Sequence, residues 1–245
     1  MKSLDVYRVF FVFILTALFC FSVTNCEAQK LPTKKTTSET RDSEEFLKAG
    51  FKRYKIESGI VEYNLSGSQT GTETIYFDRW GLREAKYTMS ETNMMGMTQR
   101  RKTLTLFDGA WVYSIDFDNR TGTKTENPLF KSLSDTSASK DLSKLGEKML
   151  KGMGGRRIGS EKILDKTCDV WEVEEMPFIS WVWNGIALRT EVSMMGMDSN
   201  IIATKIEEGV KISEDKFEIP QDVVISEDTD PFKELGPTKK STEEK

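Results

Sequence analysis

Across residues 110–117 apolar and polar positions alternate. Trp111, Tyr113, Ile115 and Phe117 fall on one side of an extended chain, and Ala110, Val112, Ser114 and Asp116 on the other. A period of two marks a strand, because successive side chains of a strand point to opposite faces. The same alternation recurs in Val61, Tyr63 and Leu65, in Ile75 and Phe77, and in Trp171 and Val173. Turn-forming residues separate these runs at 65–68, 78–81, 118–122 and 207–209. Asp108-Gly109, between Leu104/Leu106 and Trp111/Tyr113, predicts a hairpin with both residues at central positions of φ > 0. The pattern predicts a mainly β fold of up-and-down antiparallel strands.

Two segments depart from the alternation. Over 139–151, Leu142, Leu145, Met149 and Leu150 recur at helical spacing among charged residues, and Gly152 ends the run, which predicts one amphipathic helix. A shorter helix over 43–52 rests on Phe46, Leu47 and Phe51. The run 176–188, with Trp181 and Trp183, is apolar on both faces and reads as a strand that is buried between layers or meets an apolar partner. There is also an internal echo. Met94-Met95-Gly96-Met97 returns as Met194-Met195-Gly196-Met197, each preceded by a basic strand and followed by one ending in an acidic-Gly turn.

Residues 1–28 read as a secretory signal peptide, with Lys2 and Arg8 ahead of an apolar run at 9–23 and a polar end at Cys26-Glu27-Ala28. That run is shorter than a bilayer-spanning helix needs. The expectation is cleavage after Ala28 and a periplasmic location. The alternative is an outer-membrane lipoprotein anchored through Cys26, associated peripherally with the membrane, although Asn25 is a poor residue before a lipidated cysteine. Residues 29–45 are too polar to fold and predict a tether, and the charged stretch 227–245 predicts a tail. The folded domain is expected over 46–226. Cleavage would leave Cys168 as the only thiol, which its place beside Val170 marks as a small buried hydrophobe.

The chain has no histidine, which removes Ser-His-Asp and Cys-His nucleophile pairs and the commonest zinc and haem ligand sets. A net charge of −4, with basic residues scattered among acids, offers no nucleic-acid footprint. Glycines at 152–159 with Arg156 and Arg157 follow a helix and precede a strand, the reverse of a phosphate loop, so they read as a helix stop. Glu172 and Glu174 fall opposite Trp171 and Val173, on a solvated face. The methionine clusters are soft thioether donors, so Met94, Met95, Met97, Met194, Met195 and Met197 form an alternative Cu(I) site; otherwise methionine is an adaptable apolar filler. No cofactor and no enzymatic activity are expected.

Residues 162–171, 181–192 and Lys216-Phe217-Glu218-Ile219-Pro220, with 58–63 and 71–77 at the other end, resemble the periplasmic lipoprotein-carrier superfamily, the LolA-like proteins. The resemblance implies an incomplete antiparallel β-barrel covered by one or two helices, whose apolar inside receives lipid or lipoprotein acyl chains. Val61, Tyr63, Ile75, Phe77, Trp111, Tyr113, Ile115, Phe117, Trp171, Val173, Trp181 and Trp183 would then line one hollow. Leu142, Leu145, Met149 and Leu150 would form the inner side of its lid. The expected function is a non-catalytic envelope carrier for lipid or a lipid-modified protein. An envelope scaffold that docks a protein on the same β face is the alternative.

Overall fold

The computed structural model describes residues 47, 50–94, 97–127, 143–174, 177–194 and 197–227. Twelve strands form one curved sheet that stays open instead of closing into a barrel. The first meander runs through β1 (Gly59–Gly67), β2 (Gln69–Asp78), β3 (Arg83–Met94), β4 (Met97–Asp108), β5 (Trp111–Asp116) and β6 (Thr121–Glu126). A short helix, α1 (Ser143–Gly152), precedes the second. That meander comprises β7 (Gly155–Ile163), β8 (Lys166–Val173), β9 (Phe178–Trp183), β10 (Ile186–Met194) and β11 (Met197–Glu208). β12 (Val224–Glu227) closes the series. The spatial order is β12-β6-β5-β4-β3-β2-β1-β11-β10-β9-β8-β7, antiparallel throughout except for β12 on β6.

The turns follow local chemistry. Asn184 (φ 51°) and Gly185 (φ 88°) join β9 to β10, the Asn-Gly pairing favoured where both central residues take φ > 0. The apolar run 176–188 is therefore two strands folded back on each other, not one, and the Asn-Gly pair inside it marks the turn. At the β4–β5 hairpin Asp108 pairs with Trp111, so the central residues are Gly109 and Ala110, one position later than expected. Of these only Gly109 has a positive φ, 58°. Gly67, at the end of β1, has φ 103°, and a Cβ there would lie 2.2 Å from the Asp198 carbonyl oxygen, so the β1–β11 approach requires glycine.

Register sorts the side chains onto two faces, since directly paired residues share one. Val61 pairs with Ile75 and Gly59 with Phe77, so Val61, Tyr63, Ile75 and Phe77 occupy a first face. Across register shifts at Glu62/Tyr63 and Ala187/Arg189 that face continues to the core residues Cys168, Val170 and Trp181. On it Tyr54, Val61, Tyr63, Phe77, Leu188 and Ala203 are buried together.

The second face has its own core. Ala85, Leu104, Leu106, Tyr113 and Ile115 pack there against Ile212, Phe217 and Val223. Those last three belong to the strap 209–223, which returns from β11 to β12 at the far edge. Arg83 holds the strap, its Nη1 donating to Glu214 at 2.7 Å while its Nε donates to Asp78 at 2.9 Å. Its guanidinium carbon sits 4.0 Å from the Phe217 ring centroid, and Tyr87 Oη donates to the Lys216 carbonyl at 2.9 Å.

Helix α1 contacts β7 at the edge of the sheet. Residues 139–142 of the expected helix lie outside the described residues, as does most of the expected helix over 43–52. So do the signal, tether and tail, except that β12 includes Glu227. No helix among the described residues is long and apolar enough to cross a membrane.

Candidate binding site

The twelve residues expected to line one hollow divide between the two faces. Tyr113 pairs with Leu106, Leu106 with Ala85, Ala85 with Tyr76 and Tyr76 with Ile60, so Tyr113 lies on the face opposite Val61. Trp111 and Ile115 follow by alternation. Phe117 joins them, stacked on Tyr87 with centroids 6.3 Å apart. Trp171 pairs with Ser180, which sends Trp181 and Trp183 to the face opposite Trp171. Val61, Tyr63, Ile75 and Phe77 share the first core with Trp181, buried among them, and Trp183, packed against it; Trp111, Tyr113, Ile115 and Phe117 belong to the second, and Trp171 and Val173 lie opposite Trp181. The single twelve-residue hollow is not formed. Alternation marks each of these strands, but it does not say which of a strand's two sides matches a neighbour's.

Much of each row is also filled already. The strap occupies the space against Tyr113 and Ile115. On the first face Tyr54 packs edge-on against Phe77 with centroids 4.9 Å apart. The Tyr54 hydroxyl donates to Glu84, whose carboxylate also accepts from Arg53 Nη1 at 3.1 Å. Nearby, Glu73 accepts from Thr88 Oγ1 at 3.0 Å, and Tyr63 Oη donates to the Ala187 carbonyl at 3.0 Å. Burial raises the Tyr54 and Tyr63 hydroxyls well above the ordinary tyrosine range, so both stay neutral donors. The cluster is satisfied internally and fixes the segment before β1 onto the sheet.

The lid expectation also changes. α1 lies by β7, and Lys151 Nζ stands 5.7 Å from the Trp171 centroid, so the helix covers the sheet margin and not the Val61–Phe77 region. Leu150 is half-buried. Leu142 and the side chains of Leu145 and Met149 lie outside the described residues.

Among the described residues a shallow concavity of about 500 Å³ opens at one end of β8 to β11 and β1. Across one row Val173 pairs with Phe178, Phe178 with Val192, Val192 with Ser199 and Ser199 with Gly67. Val173 and Phe178 are themselves buried, so Val192 and Pro177 carry the exposed apolar surface; Glu172, Glu174, Ile179, Glu191 and Asp198 reach the lining from alternate positions of the same strands. Of the expected lining residues only Val173 takes part. Phe178 and Ile179 fall in the run 176–188 expected to be buried or to meet an apolar partner, whereas Val192 carries no signal of its own, because only the register of four successive strands brings it to them.

The methionine motifs cap two hairpins. Met94 pairs with Met97 and Met194 with Met197, and both tips lie at the end of the sheet that carries the β1–β2 turn. That turn stands between them in the strand order. Met97 is 71 % exposed and Met197 39 %. Met95, Met195 and the side chains of Met94 and Met194 lie outside the described residues, so the copper set is not assembled here. Cys168 is fully buried, and burial raises its thiol pKa. Glu172 and Glu174 both accept from Arg156, at 2.8 and 2.6 Å, as a solvated face would suggest.

No family model and no curated protein matches the sequence. Several solved structures are similar in sheet shape. An uncharacterized conserved protein from Thermus thermophilus has TM-score 0.46 at 6 % identity, over 77 % of this chain and 98 % of that one. PNGF-II has TM-score 0.40 at 12 % identity, over 71 % of this chain and 32 % of that one. MucB has TM-score 0.39 at 12 % identity, over 77 % of this chain and 66 % of that one. Scores this low carry no argument about ligand or activity.

Proposed function

We propose that the protein is a non-catalytic binding module of the cell envelope that accepts an apolar group of its ligand in the concavity at the end of β8 to β11. The observation that carries this reading is the concavity where the part-exposed Val192 and the exposed Pro177 lie beside the buried Val173 and Phe178, on a protein whose other apolar rows are largely filled by its own chain. A concavity of about 500 Å³ has the size of a small-ligand site. Binding would be driven by removing apolar surface from water, worth about 25 cal/mol per Å². The export signal and the resemblance to lipoprotein carriers agree with an envelope setting. The site would shelter one acyl chain or a few apolar side chains, less than the hollow that the resemblance implied.

The test uses N-phenyl-1-naphthylamine, a neutral fluorescent apolar probe, with the full mature chain. Saturable binding is expected, weakened about tenfold or more by Val192→Asp, which places an unpaired charge in the row. Unchanged binding in that variant, or no saturable binding by the parent protein, overturns the proposal.

A further inference from the structure

The two Met-Met-Gly-Met hairpins are equivalent in place as well as in sequence. Gln69 pairs with Thr92 and Gly67 with Ser199, so in each hairpin two further residue pairs stand beyond the β1–β2 turn, roughly 7 Å of strand. Leu65 pairs with Gly71 and Ile201, Gly71 with Ser90 and Ser90 with Arg101, which puts Arg101 and Ile201 on one face. Met97 and Met197, each four residues earlier in its strand, fall on that same face, and both are exposed. On the other face the next pair of each hairpin is closed by a hydrogen bond: Thr98 Oγ1 donates to Asn93 at 2.5 Å, and Ser193 Oγ to Asp198 at 2.6 Å. The strand order β4-β3-β2-β1-β11-β10 sets the hairpin axes four strand spacings apart, roughly 19 Å, with the β1–β2 turn midway. The hairpins differ in charge. Over six paired rows the first carries Arg100, Arg101 and Lys102 against Glu91, a net +2, and the second carries Glu191 and Asp198 against Arg189, a net −1.

We propose that this end of the sheet pairs with a second copy of the chain, about a two-fold axis normal to the sheet beside the β1–β2 turn. That operation sets the basic hairpin of each copy against the acidic hairpin of the other and keeps the methionine faces on the same side. Met97 of each copy then meets Met197 of the other, and flexible thioether side chains adapt to such a contact. An axis lying in the sheet plane, across the strands, would instead set like charge on like charge, which is costly. An anionic bilayer suits only the basic hairpin, whereas a second copy satisfies both. Two hairpin tips per copy fall short of a standard interface, so the dimer should be weak and sensitive to salt.

Sedimentation velocity of the full mature chain over a wide concentration range should show a monomer–dimer equilibrium that weakens as salt is raised. Met97→Thr with Met197→Thr, at exposed positions, should weaken it about tenfold or more. Two further variants change only exposed sites and test the charge pairing. Arg100→Glu with Lys102→Glu makes both hairpins acidic, and Ser193→Lys with Asp198→Lys makes both basic. Each should be monomeric alone, and an equimolar mixture of the two should dimerise. Dimers that persist in either charge variant alone, or a mixture that stays monomeric, overturn the inference. If a charge variant loses the circular dichroism of the parent, the methionine variant decides, and unchanged dimerisation there overturns it. A parent chain that is monomeric at every concentration also overturns it, and co-sedimentation with phosphatidylcholine vesicles would then assign the tips to a lipid surface.

Discussion

Strands β3 to β6 and strands β8 to β11 solve the same problem in opposite ways. In the first group the largest apolar row faces the strap, and Leu104, Leu106, Tyr113 and Ile115 form a core only because residues 209–223 return across them. In the second group Trp181 packs into the core around Val61, while Val173 and Phe178 lie opposite it, where the helix covers the margin and a concavity remains. One half is covered by the chain's own return; the other keeps a small apolar opening. The difference teaches that aromatic alternation marks a strand, and that what covers the strand decides whether its aromatic face is core or site.

Removing the strap should break the comparison most severely. A chain ending after Gly209 leaves the Leu104–Ile115 row exposed, and it should lose cooperative thermal unfolding and bind hydrophobic dyes. An unchanged melt would mean the strap is only peripheral. Next comes a matched pair, because Leu104 and Leu188 are both fully buried in the two cores. Leu104→Ala and Leu188→Ala should each cost about 2–5 kcal/mol by denaturant unfolding. A cost below about 1 kcal/mol for Leu104→Ala alone would show that the strap does not complete a packed core.

The two regions should also fail at opposite ends of the pH scale. A hydrogen bond from Arg83 lowers the Glu214 carboxyl below the usual range. Its contribution is present above the carboxyl pKa of the unfolded chain and is lost as pH falls through the lowered folded value. Hydrogen exchange in the strap should therefore rise in acid before that of β8 to β11, and less so in Glu214→Gln. Tyr63 behaves conversely, since burial raises its pKa. Its contribution is present below the unfolded tyrosine value of about 10 and is lost as pH rises beyond it, so Tyr63→Phe should flatten the alkaline loss of stability. The smallest effect belongs to the hairpin tips. Met97→Thr and Met197→Thr, both at exposed sites, should move stability by no more than about 0.5 kcal/mol.

Most strands are readable from alternation, and the helix after β6 from its spacing and Gly152. The Met-Met-Gly-Met echo corresponds to two hairpins of one sheet. Sidedness is not readable. Tyr113 and Val61 carry the same signal, yet they face apart because β1 to β5 pair in a register that no single strand encodes. The strap is equally hidden, since Ile212, Phe217 and Val223 are spaced irregularly and acquire meaning only from the sheet they cross. The concavity needs four registers at once, which explains why Val192 is silent in the sequence while Phe178 shows only as part of the apolar run around Trp181 and Trp183.

The two-sided arrangement itself is tested most directly by side-chain NOEs in the full mature protein. Cross-peaks should join Tyr87 to Tyr76, with ring centroids 5.8 Å apart, and to Phe117 on the strap side. A separate set should join Tyr54 to Phe77 at 4.9 Å, with none linking Phe77 to Tyr113 or Phe117. A cross-peak between Phe77 and Tyr113 or Phe117 would put the two rows on one face and contradict the account.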